Sequence, residues 1–185
     1  LMLAGKIGRE VTLRNALRDR KRERDLILND CPPTRGPLTV NALVAAAHAS
    51  GLMILLDVVY NHFGPQGNYL GRYARAFFTS AYRTPWGDAV NLAHPVVRDY
   101  FLHNARYWLE EYRFDGLRID AVHAMHDDSP RHFVVELADA IRLDAGREGF
   151  AHCVLENVDN RARYLEHAGR APAEFGLAQW NDDFH

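Results

Sequence analysis

The chain has 185 residues, 48% apolar and 25% charged, with a net charge of −2, a composition that suits an ordinary globular fold with one real core. This balance gives no support to nucleic acid or a membrane as partner, and the longest apolar run, GLMILL, is far shorter than the roughly 18 residues of a spanning helix. Cys31 and Cys153 lack paired spacing, so neither a disulfide framework nor a zinc site is indicated and a reduced, cytoplasmic setting is expected.

Residues 1–30 read as a charged, weakly amphipathic helical stretch, and the basic excess within residues 9–24 reads as a solvated helix face rather than a polyanion site. The opening LMLAGKIGRE is too short in its apolar part for a secretory signal, and a start on Leu points to a fragment. CPPTRGP (31–37) breaks any continuing helix. A boundary is therefore expected near residue 37, separating an unassigned segment, 1–37, from the main domain, 38–185.

NALVAAAHAS (41–50) is a good helix former, closed by Gly51 where a left-handed cap is expected. LMILLDVV follows as a nearly continuous apolar run, the mark of a strand covered on both faces. The stretch from Tyr60 to Leu92 is rich in Gly, Pro, Asn and aromatics, and a loop of that length reads as functional. Within it Tyr69 and Trp86 are open to two readings, stacking on a sugar or packing within the loop.

From Pro95, the spacing of Val97, Phe101, Ala105, Trp108 and Tyr112, with Asn104 beside them, predicts a helix. FDGLRIDAV (114–122) predicts a strand with Leu117, Ile119 and Ala121 on one face and Arg118 and Asp120 on the other. A third helix is expected from Ser129, with Pro130 just inside, through Phe133, Leu137 and Ile141. AHCVLEN (151–157) is the next strand. Helix and strand alternate three times, which predicts an α/β fold with parallel strands.

Each of the three strands carries a carboxylate near its C-terminal end, namely Asp57, Asp120 and Glu156. In parallel α/β folds that edge is where active sites gather. A lone acid at a strand end is usually structural; three in succession, with Arg118 two residues before Asp120 and His62 five after Asp57, are harder to explain that way. A guanidinium beside Asp120 favours its ionised form, while Glu156, next to Val154 and Leu155 with no basic neighbour in its own strand, is expected to keep a proton through desolvation. Acids made unequal in this way suit glycosidic bond cleavage. His94, His103, His126, His132 and His152 show no ligand-like arrangement.

DVVYNH, GLRIDAVH and the strand ending LEN resemble three of the four motif regions of the α-amylase superfamily of glycoside hydrolases, in order and with compatible spacing. More narrowly, NHFGPQGNYLGRY, TPWGDAVN, NARYWLEEYRFDGLRIDAVHAM and the terminal AQWNDDFH resemble the malto-oligosyltrehalose trehalohydrolases within it. This resemblance implies a partial (β/α)8 barrel, about strands three to five with the approach to the sixth. It implies Asp120 as nucleophile, Glu156 as proton donor, Arg118 as orienting group and His62 in contact with the sugar at the cleavage point. Arg118, Ile119, Ala121, Val122 and His123, with Asp182, Asp183, Phe184 and His185, would line the substrate groove. Asp57 and Asn61 would be structural supports, and no metal or other cofactor is assigned.

By the same resemblance the substrate is a malto-oligosaccharide, most narrowly malto-oligosyltrehalose, cleaved with release of trehalose. The alternatives are a branching or debranching enzyme of the superfamily, or an inactive fragment serving as a carbohydrate-binding remnant. A fourth motif, a His-Asp pair bearing a third carboxylate, is not found in these residues, nor are the first two barrel strands recognisable in 1–37. The 185 residues alone are accordingly expected to show little or no activity.

Overall fold

The computed structural model describes residues 26–29, 37–143, 151–159, 162–165 and 177–181. A parallel sheet of five strands forms its centre, in the order β1 (Leu26–Asn29), β2 (Met53–Val58), β5 (Gly116–Ile119), β6 (His152–Glu156), β7 (Leu177–Trp180). Helices α1 (Pro37–Ala49), α3 (Pro95–Glu110) and α4 (Phe133–Leu143) connect successive strands of this sheet. The result is part of a (β/α)8 barrel, as expected, with one more strand at each edge than the three read from the sequence.

The strands form where apolar residues can be covered on both faces. Ile54, Leu55, Leu56 and Val58 of β2 are buried, as are Leu117 and Ile119 of β5 and Cys153 and Leu155 of β6. Gly116 is dictated by close approach: a Cβ there would stand 2.3 Å from the carbonyl oxygen of His152 in the next strand. Helix α1 ends as its sequence predicts. Gly51 has φ 69° and donates to the carbonyl of His48, while Leu52 donates to that of Ala47, so the left-handed residue lets two closing bonds form.

Four expectations need correction. Residues 26–29 are strand, paired in parallel with Met53–Leu56, rather than part of a helix. The sheet therefore begins before the boundary expected at residue 37; the helical pattern drawn from the charged neighbours hid a short Leu-Ile-Leu run, and residues 1–25 lie outside the described residues. The chain also carries β7, which was read only as an approach to a further strand.

Strand β5 stops at Ile119, because Ala121 turns into the left-handed region at φ 44°. Helix α4 starts at Phe133 rather than Ser129. Asp127 explains the delay: its carboxylate accepts from the N–H of Ser129 at 3.0 Å and from that of Phe133 at 2.6 Å, holding residues between them in a turn. Arg98 of α3 locks this turn, bonding Asp127 at 2.6 Å and Glu136 of α4 at 2.6 Å.

The long stretch after β2 has structure of its own. A short helix α2 (Leu70–Tyr73) precedes an antiparallel hairpin of β3 (Phe78–Thr84) and β4 (Gly87–Val90). Phe63, Phe77, Phe78 and Phe101 pack edge to face or tilted beneath it, with ring centroids 5.4–6.5 Å apart. These rings fix the hairpin against α3. Among the described residues no helix is long and apolar enough to cross a membrane.

Candidate active site

Parallel register brings the three acids together. Asp57 pairs with Arg118 across β2 and β5, and Arg118 pairs with Val154, two residues before Glu156, across β5 and β6. Since side chains alternate, Asp57, Arg118, Asp120 and Glu156 emerge toward one region at the C-terminal edge of the sheet.

Arg118 is the hub. Its Nη1 donates to Asp57 Oδ1 at 2.8 Å and Oδ2 at 2.9 Å and to Asp120 Oδ1 at 2.9 Å, while its Nη2 lies 3.0 Å from Glu156 Oε1. Burial works to lower the Arg118 pKa, but the hydrogen bond to Asp57 and the charges of Asp57, Glu156 and Asp120 outweigh it and raise the value. The guanidinium also stands 5.7 Å from the ring centroid of Trp180 on β7.

The expectation for Glu156 considers only its own strand, where its neighbours Val154 and Leu155 are apolar. Its basic partner comes from the adjacent strand, where spacing within one strand does not reveal it. A second bond orients it: the N–H of Ala121 donates to Glu156 Oε2 at 2.8 Å. The left-handed turn at Ala121 thus ties the segment carrying Asp120 to Glu156.

Asn61 is buried and donates through Nδ2 to the Asp120 carbonyl at 3.1 Å and to Asp120 Oδ2 at 3.3 Å. His62 Nδ1 bonds Asn61 Oδ1. The His62 ring stacks on Trp86 at the hairpin tip, centroids 3.8 Å apart and planes within 12°. Burial lowers the His62 pKa, with the charge of Asp120 acting in the opposite sense. Trp86 is therefore a packing partner of a site residue; Tyr69, 58% exposed, lies under Arg72.

The remaining expected site residues divide. His123 Nδ1 accepts from the N–H of Val158 at 3.4 Å. Ile119 and Val122 are fully buried in the apolar core and present no surface to a ligand, because the strand's alternation turns Ile119 inward and the turn after Ala121 does the same for Val122. Asp182, Asp183, Phe184 and His185, like Cys31, lie outside the described residues. Trp180 was not foreseen as a neighbour of Arg118, and only the register of β7 on β6 would have placed it.

Over 157 residues the chain is 45% identical to a malto-oligosyltrehalose trehalohydrolase of Rhizobium sp. strain M-11, covering 81% of this chain and 26% of the relative. It is 43% identical over 153 residues to the enzyme of that name from Deinococcus radiodurans, covering 83% and 24%. Among solved structures, a Salmonella typhimurium protein designated an alpha amylase superposes with a TM-score of 0.71 at 42% identity, over 79% of this chain and 25% of that one. The chain belongs to the α-amylase superfamily.

No family model matches the chain. The fold of this superfamily member is matched at lower identity too, with a TM-score of 0.64 and 18% identity to the α-amylase of Geobacillus thermoleovorans over 89% of this chain and 43% of that one. A 1,4-alpha-glucan branching enzyme of Jannaschia sp. is 41% identical over 90 residues, covering 45% of this chain. The chain spans about a quarter of the length of the trehalohydrolases it matches.

Proposed function

We propose that this chain carries the acid pair of a retaining glycoside hydrolase that cuts the α-1,4 bond beside the trehalose end of malto-oligosyltrehalose. The observation that carries this reading is one guanidinium holding acids from neighbouring strands at the sheet's C-terminal edge. The trehalohydrolase names of the relatives support the choice of substrate.

In this reading Glu156 protonates the glycosidic oxygen as the C1–O bond breaks, and an Asp120 oxygen forms a bond to C1. Water then attacks C1, gives its proton to Glu156 and frees the Asp120 carboxylate. Arg118 and Asn61 orient Asp120 through direct hydrogen bonds. Asp57, bonded to Arg118 through both oxygens, anchors the guanidinium.

In this reading His62, which stacks on Trp86 and bonds Asn61, meets the sugar ring at the cleavage point. The buried and unpaired Cys153 supports a reducing, cytoplasmic setting. Chromatography of the products formed from malto-oligosyltrehalose by the intact enzyme tests the assignment. Free trehalose is expected; new or lost α-1,6 branches would favour the branching-enzyme reading that the Jannaschia match supports.

A further inference from the structure

A recess of about 590 Å³ opens between the segment after His62 and the β3–β4 hairpin. None of Asp57, His62, Arg118, Asp120 or Glu156 lines it. It adjoins the acid cluster through Trp86, which lines the recess and also stacks on His62.

Its lining combines two kinds of surface. Phe78 and Trp86 supply aromatic rings, while Asn68, Ser80, Arg75 and Asp88 supply an amide, a hydroxyl, a guanidinium and a carboxylate. Arg75 and Asp88 form no side-chain hydrogen bond or ion pair with another described residue, whereas Asn68 uses its carbonyl oxygen on the N–H of Leu70. Donors and acceptors are therefore left for a ligand. The opposite charges of Arg75 and Asp88 cancel, so the recess does not select an ion.

A neutral ligand with an apolar face and adjacent hydroxyl groups fits this lining: rings meet its C–H face, and forked or charged side chains bond its hydroxyls. The volume lies within the range of small-ligand pockets. We propose that the recess is a second oligosaccharide site, taking one or two glucosyl units of a neutral α-glucan without cleaving them. The choice of glucan among sugars rests on the function proposed above; the existence of the site does not.

Calorimetric titration of maltotriose into the intact protein carrying Asp120→Asn, which does not consume the ligand, tests this. Two classes of site are expected. Adding Arg75→Ala with Asp88→Ala should weaken one class by about tenfold or more. Ser80→Trp, which fills the recess and leaves its charges in place, should do the same. Retention of both classes in either variant, or a single class from the start, overturns the proposal.

The two readings fail separately. With Asp120 intact, trehalose release that persists alongside unweakened maltotriose binding in the recess variants removes the second site and keeps the hydrolase. Loss of one binding class from a protein that releases no trehalose keeps the second site and removes the hydrolase.

Discussion

Asp57 and Arg118 stand opposite each other in adjacent parallel strands, and one guanidinium nitrogen reaches both Asp57 oxygens, at 2.8 and 2.9 Å. The same nitrogen also bonds Asp120 while the other reaches Glu156, so Asp57 fixes the group that gathers the other two acids.

Replacing Arg118 with Lys should therefore reduce turnover by at least about a hundredfold, although the charge is retained. A single ammonium cannot satisfy Asp57, Asp120 and Glu156 with the geometry of the planar fork. The side chains are 13–31% exposed, so solvent screening limits the stability loss to roughly 1–3 kcal/mol. Steady-state kinetics and urea unfolding of the variant check the two effects separately.

His62 gives a pH signature. Burial holds its folded pKa below the ordinary value of about 6.5, so its contribution to stability is complete above that pH. It is lost as the pH falls through the folded pKa, because the unfolded chain then binds a proton that the fold resists. NMR titration of the ring should give a midpoint below about 6.5, and Trp86→Ala, which uncovers the ring, should raise it.

Much of this arrangement was legible in the sequence, because apolar runs and helical spacing mark burial directly. The acids at Asp57, Asp120 and Glu156 could be placed at strand ends from local pattern alone. Their common partner could not: Arg118 meets Asp57 and Glu156 through the register of separate strands, which no local spacing encodes. The strand at Leu26–Asn29 was obscured for a related reason, since four residues of sheet are too few to outweigh the charged helical pattern before them. The left-handed Ala121 was also illegible, because alanine favours that conformation far less than glycine does and is held there by its surroundings.

Gly116→Ala tests the close approach of β5 to β6. The added methyl would stand 2.3 Å from the backbone oxygen of His152, which cannot rotate away. A destabilisation of about 2 kcal/mol or more is expected on chemical denaturation, larger than for a substitution that merely fills space.

Cys153 should resist modification in the folded protein. Burial pushes its thiol up to about 12, leaving almost no thiolate near neutral pH. Labelling with a thiol reagent should follow unfolding, with fast reaction of the native chain at this position contradicting the buried strand.

The most direct test of the central claim, that the acids gathered by Arg118 divide the work between them, is to trap the covalent intermediate. Intact enzyme should be treated with a 5-fluoro glycosyl fluoride that accumulates the glycosyl-enzyme, then digested and mapped by mass spectrometry. The account predicts a single hexosyl adduct on Asp120. An adduct on Asp57 or Glu156, or product formed with inverted anomeric configuration and no adduct, would contradict it.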